Sequence, residues 1–203
     1  MRLILVRHGR TDWNREFRVQ GHSDIPLNQT GQDQAEAIAQ KLKDETIEAL
    51  YSSPLSRAYQ TAEAIGTFHK VKITSDDRLK ELDVGEVDGV YYPRLKDDTP
   101  DFFSKWMSDP AGARWPGGES MADLQRRVWD VVMGIKTDHA DGTVVITSHL
   151  FTILTIMCEI LGMKLSEFRR LNLSVASISE AEFNGNQSRL LKFNDICHLE
   201  RFG

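Results

Sequence analysis

Residues 3–9 read Leu-Ile-Leu-Val-Arg-His-Gly, an unbroken apolar run followed at once by two basic residues and a glycine. A continuous run of four branched apolar residues is typical of a strand buried on both faces of a sheet. Such strands occur in parallel sheets that helices cover, and ligands bind beyond their carboxyl ends. The run therefore predicts a central strand that places Arg7 and His8 at a ligand-binding edge.

The rest of the chain alternates short apolar runs with segments of helical periodicity. Further strands are predicted over 47–51, 71–74 and 143–147, and a hairpin pair over 175–183 and 189–193 around Asn184-Gly185-Asn186. Helices are predicted from Thr30 with Asp33 in a capping box, from Ser53-Pro54, near 102–107, from Ser120 with Asp123, and over 151–161 before Gly162. This alternation predicts one α/β domain over residues 1–203, a three-layer αβα sandwich whose mostly parallel sheet has an antiparallel edge.

Composition and charge narrow the class of partner. Hydrophobic residues make up 40% and charged residues 27% of the chain, and its net charge of -5 argues against a general nucleic-acid surface. Two cysteines, Cys158 and Cys197, are too few for a disulfide framework. The sequence shows neither a leader pattern nor an apolar run of the roughly 20 residues that a membrane span needs. We therefore expect a cytoplasmic protein that binds neither nucleic acid nor membrane.

Three basic groups follow three different predicted strands. Arg7 and His8 follow the first strand, Arg57 lies in the first turns of the helix after the strand over 47–51, and His149 comes directly after the strand over 143–147. The carboxyl ends of these strands share one edge of the sheet, where helix N-termini add backbone N–H groups and a dipole that favours anions. This constellation predicts a site that can hold a phosphoryl group without a metal ion.

A series of short motifs follows in order along nearly the whole chain. They are Arg7-His8-Gly9-Arg10-Thr11-Asp12-Trp13-Asn14, Gln20-Gly21, Asp24-Ile25-Pro26-Leu27, Thr30-Gly31, Tyr51-Ser52-Ser53-Pro54-Leu55-Ser56-Arg57-Ala58, Leu79-Lys80-Glu81-Leu82, Gly118-Glu119-Ser120 and Ser148-His149. An Arg-His-Gly triplet alone is weak, but the full order is specific. It resembles the signature of the histidine phosphatase superfamily, which includes the cofactor-dependent phosphoglycerate mutases, and it implies a phosphoglycerate mutase-like fold.

The resemblance also implies roles for the matching positions. His8 would attack phosphorus and become a phosphohistidine, while Arg7, Arg57 and a protonated His149 would bind the phosphoryl oxygens. Glu81 would be the general acid and then the general base, with Asp83 and Glu86 as the alternatives nearby. Asn14, Gln20 and Gly21 would line the phosphate entrance, and the backbone N–H of Leu150 would keep a phosphate contact although the family commonly has Gly there. No metal ion or other cofactor is implied.

The resemblance implies a metal-independent phosphomonoester hydrolase that acts on a small phosphorylated metabolite. A cofactor-dependent phosphoglycerate mutase and a non-catalytic phosphate-binding module remain alternatives, although the intact set of site residues argues against the module. The resemblance implies that mutases have longer chains, with an extended segment between the acid and the Gly-Glu-Ser motif. Here only 35 residues separate Glu81 from Gly117. A shorter segment leaves a more open site, which favours water as the acceptor.

Substrate identity stays open. The candidates are phosphoserine, phosphoglycerate-type acids, sugar phosphates and ribazole phosphate. Val87 replaces the Trp that is common in the family, and Val84 stands where phosphoserine phosphatases are expected to have His. Basic residues that could meet a substrate carboxylate are Arg78, Lys80, Arg94, Lys96 and Arg114. The apolar helix from Phe151 and the edge strands fit either the core or the interface of a homodimer.

Overall fold

One six-stranded sheet organises the chain. The computed structural model describes residues 1–202 and the side chains of residues 1–200, so that Gly203, the last residue of the predicted domain, lies outside the described residues. The strands are β1 Arg2–Arg7, β2 Ala49–Ser52, β3 Ile73–Ser75, β4 Thr143–Ser148, β5 Ile178–Asn184 and β6 Gln187–Asp195. Their order across the sheet is β3-β2-β4-β1-β5-β6. The first four strands in this order run parallel to one another, and β5 pairs antiparallel with both β1 and β6. This arrangement confirms the mostly parallel sheet with an antiparallel edge that was predicted from the sequence.

Helices cover both faces of the sheet. They are α1 Asp12–Arg15, α2 Gln29–Leu42, α3 Ser56–Gly66, α4 Leu95–Asp98, α5 Pro100–Ser108, α6 Met121–Asp138 and α7 Leu150–Ile160. Short 3-10 helices lie at Asp77–Leu79, Gly85–Val87, Tyr92–Arg94, Leu165–Arg170 and Cys197–Phe202. Side chains alternate along β1, so that Ile4 and Val6 pack with α2 and α3, whereas Leu3 and Leu5 pack with α6 and α7. Every apolar side chain of β1 is therefore buried, as the unbroken run predicted, and the three-layer αβα sandwich is confirmed.

Two helix starts differ from the sequence predictions. Helix α2 begins at Gln29 because Asn28 is its N-cap and accepts a hydrogen bond from the N–H of Gly31 (3.0 Å). Helix α3 begins at Ser56 rather than after Ser53, and its first N–H donates to the carboxylate of Asp24 (2.6 Å). Both predictions were wrong because a cap can be the preceding residue or a side chain from elsewhere in the chain. The capping box predicted at the start of α6 is present.

The apolar helix α7 belongs to the core of a single chain. Its residues from Thr152 to Cys158 are all buried, and it packs against α6 and β1. The position of α7 accounts for its apolarity without a second copy of the chain. Among the described residues, no helix is both long and apolar enough to cross a membrane.

Residues 84–118, here called the wall segment, form a loop whose two ends meet. At its neck, the N–H of Glu119 donates to the carbonyl of Asp83 (3.0 Å), and the N–H of Asp83 donates to the carboxylate of Glu119 (2.9 Å). The segment was predicted as irregular with one helix, and it contains α4, α5 and two 3-10 helices. Its Trp106 and Trp115 are buried in the core cluster that includes α6 and α7.

Candidate active site

The basic residues singled out in the sequence meet beyond the carboxyl ends of β1 and β4. The N–H of His8 donates to the carbonyl of Ser148 (3.0 Å), which joins the ends of the two strands. The rings of His8 and His149 lie 5.2 Å apart between centroids. Arg57, from the first turn of α3, donates from Nε to Nδ1 of His149 (3.2 Å). The structure therefore brings together residues that are far apart in sequence.

His8 is held in the form of a nucleophile. Its Nδ1 lies 2.7 Å from the carbonyl oxygen of Gly9. A carbonyl oxygen can only accept, so Nδ1 carries the proton and Nε2 keeps its lone pair. Burial and the positive charges of Arg57 and Arg7 lower the pKa of His8 well below its usual range. The ring is therefore neutral near pH 7, with Nε2 available to attack an electrophile.

Close backbone packing explains the glycine that follows His8. A Cβ at Gly9 would lie 2.4 Å from the carbonyl oxygen of Gly31 in α2, and a Cβ at Gly31 would lie 2.0 Å from the carbonyl oxygen of Arg10. No side chain fits at either position without moving backbone. The contact fixes the loop that carries His8 against the first turn of α2.

Arg57 is fully buried and supplies positive charge from behind the two histidines. Its Nη1 donates to the carbonyl of Ser23 (2.9 Å) and its Nη2 to the carbonyl of Gly21 (2.7 Å). Burial lowers the pKa of Arg57 to about 10, so the guanidinium stays charged at neutral pH. Gly21 was expected to line the phosphate entrance, but it instead holds Arg57.

His149 is neutral in this structure, which differs from the protonated state that the family resemblance implied. The Nε–H of Arg57 can only donate, so Nδ1 of His149 must accept. Its other nitrogen, Nε2, lies 2.8 Å from Oγ of Ser53 and carries the proton. Burial, and after it the positive charges of Arg57 and Arg7, lower the pKa of His149 well below its usual range. Positive charge in this form of the site comes from the arginines.

Hydrogen-bond donors without partners lie beside His8. Arg7 donates from Nη1 to the carbonyl of Leu173 (2.5 Å), while its buried Nε has no partner within the described part of the chain. The oxygen of the Gln20 amide accepts from the hydroxyl of Thr11 (3.1 Å), and its buried Nε2 is likewise without a partner there. An unpaired buried donor costs about 1–3 kcal/mol, so these groups suit an anionic ligand that would accept from them. Burial lowers the pKa of Arg7 to about 10, and it too stays charged.

The carboxylate of Glu81 lies at the N-terminus of α7. Its Oε1 accepts from the N–H groups of Leu82 (2.9 Å) and Thr152 (3.2 Å), and its Oε2 accepts from the N–H of Phe151 (3.1 Å). The N–H of Leu150, the first residue of α7, donates no hydrogen bond to the residues that the structure describes. The start of α7 therefore holds the candidate acid and keeps one donor beside it for a phosphate.

Arg127 fixes the loop that carries Glu81, a role that no motif or spacing along the chain indicated. Its guanidinium donates to the carbonyls of Arg78 (2.6 Å), Lys80 (2.9 Å) and Glu81 (2.8 Å), and it forms an ion pair with Glu119. The other carboxylates near Glu81 in sequence, at positions 83 and 86, do not line the cavity described next. Of the three candidates, only Glu81 faces the site.

A cavity of about 370 Å³ opens over His8 and Glu81. Of the predicted residues, Arg7, Asn14, Gln20 and Leu150 also line it. The five basic residues proposed to meet a substrate carboxylate do not. The lining also includes Val84, the position where phosphoserine phosphatases are expected to have His. The other lining residues, which were not among the predicted site residues, are Trp13, Phe17, Arg18, Val19, Tyr92, Trp106, Trp115, Phe151 and Arg169. Among the residues described, no group of three or more His, Cys, Asp or Glu side chains is placed to hold a metal ion.

A neutral histidine amid buried arginines, at the carboxyl end of a parallel sheet, defines a phosphoryl-transfer enzyme that works through histidine. The family model of the histidine phosphatase superfamily, branch 1, matches residues 3–196. Phosphoserine phosphatase 1 of Hydrogenobacter thermophilus is 34% identical over 202 residues, covering 100% of this chain and 96% of the relative.

Solved structures agree with this match. YhfR of Bacillus stearothermophilus superposes with a TM-score of 0.93 at 28% identity, covering 98% of this chain and 99% of that one. A variant phosphoserine phosphatase from Entamoeba histolytica in complex with phosphoserine gives a TM-score of 0.88 at 29% identity, covering 98% of both chains. The chain belongs to the histidine phosphatase superfamily, and it is a histidine phosphatase, a hydrolase of phosphoric monoesters.

Proposed function

We propose that the chain hydrolyses small phosphomonoesters in two steps, with His8 as the nucleophile and Glu81 as the proton donor and acceptor. The observation that carries this proposal is the free Nε2 of a neutral, buried His8 beside the unpaired donors of Arg7 and Gln20.

In the first step, Nε2 of His8 bonds to phosphorus and the bond from phosphorus to the ester oxygen breaks. Glu81 gives its proton to that oxygen, and the alcohol leaves. In the second step, water attacks phosphorus and gives a proton to Glu81, while the electron pair of the phosphorus–nitrogen bond returns to Nε2. One carboxyl group can serve both steps because the proton moves in opposite directions.

Fixed positive charge would stabilise the transition state of phosphoryl transfer. Arg7 and Arg57 keep their guanidinium groups charged close to the histidine pair, and such preorganised charge acts strongly where water is excluded. The dianionic phosphoryl group would also favour a proton on His149, since an opposite charge within a few ångströms raises the pKa of an imidazole.

Turnover of p-nitrophenyl phosphate in EDTA tests the reaction class and the independence from metal ions. We expect phosphate release that EDTA does not reduce, and a phosphorus–nitrogen bond on His8 that is stable in alkali and labile in acid. His8→Ala should lose the label and turnover, with no more than a few per cent of the activity left.

The acceptor separates hydrolase from mutase. We expect 3-phosphoglycerate, supplied with 2,3-bisphosphoglycerate, to lose its phosphate rather than to be isomerised. Isomerisation without net phosphate release would make the chain a mutase, and the absence of any phosphoenzyme would favour a binding module. The name of the Hydrogenobacter relative makes phosphoserine one substrate to include in the panel.

A further inference from the structure

Part of the cavity lining is a cluster of packed aromatic rings, here called the aromatic wall. The ring of Trp106 packs against the rings of Trp115 (5.1 Å between centroids) and Phe151 (5.8 Å, with an interplanar angle of 89°). Trp106 and Trp115 are almost completely buried, and Val84 adds a buried apolar surface beside them. A ligand that enters the cavity therefore meets ring faces and methyl groups that are already in place.

Arg169 packs against these aromatic rings and binds the backbone beside them. Its guanidinium lies 5.0 Å from the centre of the Trp106 ring and 5.6 Å from that of Phe168, within the range of cation–π attraction. It also donates to the carbonyls of Trp106 (2.6 Å) and Met107 (3.2 Å). The arginine thus stays over the aromatic cluster and adds a fixed positive charge to the lining.

The charges of the lining are strongly unbalanced. Arg7, Arg18 and Arg169 contribute three guanidinium groups, of which Arg18 is ion-paired with Glu16 outside the lining (2.8 Å), and Glu81 contributes the one carboxylate among the lining residues described. Both oxygens of Glu81 already accept backbone N–H groups. An ammonium group on the leaving alcohol would therefore meet the guanidinium groups of Arg7 and Arg169, which form no ion pair with the residues described, and the lining offers it no acidic partner besides the residue that must protonate the leaving oxygen.

We infer that the cavity selects its substrate through the leaving group: it takes phosphomonoesters of apolar, ring-bearing alcohols that are neutral or anionic, and it disfavours alcohols that carry an ammonium group. This inference rests on the proposed function, because it assumes that the cavity over His8 receives the ester. Trp106, Trp115 and Phe151 form the apolar subsite for the leaving group. Arg18 and Arg169 provide the positive charge that disfavours an ammonium group.

Two pairs of alkyl esters test the inference without changing the type of leaving oxygen. The first pair tests the selection by charge: O-phospho-L-serine carries an ammonium group that 3-phosphooxypropanoate lacks. We expect kcat/KM to be at least about tenfold higher for 3-phosphooxypropanoate. For the ring, kcat/KM should be at least about tenfold higher for 2-phenylethyl phosphate than for ethyl phosphate, because the phenyl group is buried against the wall. Equal or reversed values in both pairs would overturn the inference.

Two variants connect the selectivity to this wall. Arg18→Glu should reduce the preference for 3-phosphooxypropanoate over O-phospho-L-serine by about tenfold, and Phe151→Leu should reduce the preference for 2-phenylethyl over ethyl phosphate. Arg94→Glu is the matched control for charge, since Arg94 is exposed and does not line the cavity. A ratio of two substrates on one preparation does not depend on the fraction of folded enzyme, so partial unfolding of a variant leaves the test valid.

The outcomes separate the inference from the proposed function. If wild type hydrolyses every ester but prefers O-phospho-L-serine, only the inference fails. If no ester is hydrolysed and His8 takes no label, the proposed function fails. If Arg94→Glu changes the charge preference as much as Arg18→Glu, the selection by the lining arginines is refuted.

Discussion

Replacing Glu81 by Gln tests the role of this residue in both proton transfers of the proposed reaction. The substitution keeps the size of the side chain and removes its acid and base functions. General acid–base catalysis contributes about 10²–10⁴-fold to a rate. We therefore expect kcat/KM for ethyl phosphate to fall by about that factor, whereas kcat/KM for p-nitrophenyl phosphate should fall much less because nitrophenolate leaves without a proton.

The structure also sets a cost in stability for this variant. Oε1 of Glu81 accepts two backbone N–H groups and Oε2 accepts one, from Phe151. The new amide can keep its oxygen at the first position, but its NH₂ then opposes the N–H of Phe151. One buried donor is left unsatisfied, which costs about 1–3 kcal/mol of unfolding free energy. Denaturant titration measures this loss and shows that the variant is folded during the kinetic assays.

Stopped-flow kinetics with p-nitrophenyl phosphate provides the sharper assay. The second step still needs a base, so Glu81→Gln should release one equivalent of nitrophenolate per enzyme in a fast burst and then turn over slowly. Glu86→Gln is the matched control, because Glu86 is exposed and lies outside the cavity. Equal losses in kcat/KM for both esters, together with the absence of a burst, would refute the assignment of Glu81.

Three further predictions concern the surroundings of the site. Arg127→Met should lower kcat/KM for ethyl phosphate at least about tenfold more than for p-nitrophenyl phosphate, because it releases the loop that carries the acid, and Arg127→Lys should recover part of the difference. The pKa values of His8 and His149 are lowered in the folded chain, so below about pH 6.5 the unfolded chain binds more protons and unfolding free energy should fall by about 1.4 kcal/mol per pH unit for each histidine. Denaturant titrations at several pH values should show a slope smaller by about one proton in His8→Gln, and an unchanged slope would contradict the depressed pKa. Gly31→Ala should lower the free energy of unfolding by about 3 kcal/mol because its Cβ would strike a backbone carbonyl. Gly134→Ala, in an exposed and open part of α6, should raise it by about 0.5–1 kcal/mol. Thermal unfolding of the two variants measures both effects.

Much of the frame could be predicted from the sequence because its signals are local. The apolar run before Arg7 indicated a central strand, and the placement of His8, Arg57 and His149 after three different strands indicated one shared edge. The buried stripe of α6 and its capping box were also readable, since helical periodicity and caps depend on residues close in sequence.

What the sequence did not indicate depends on contacts between distant residues. The cap of α3 comes from Asp24, and the anchor of the Glu81 loop comes from Arg127 in another helix. The neutral state of His149 follows from burial beside Arg57, which no spacing along the chain reveals. The sequence could not separate core packing from pocket wall for Trp106 and Trp115, because they lie in a segment without clear periodicity, where only tertiary packing decides which side chains face the cavity.

The closed neck of the wall segment has a consequence for how substrate range can change during evolution. Its ends, at Asp83 and Glu119, are joined by hydrogen bonds, while the groups that carry the proposed chemistry lie outside the segment, on the sheet edge and α7. A loop closed at its base can be lengthened at small cost, about 0.6 kcal/mol for each doubling of its length. Residues 84–118 can therefore change in length at small cost, and such changes would alter the part of the cavity lining that Trp106 and Trp115 provide while the reaction at His8 stays the same.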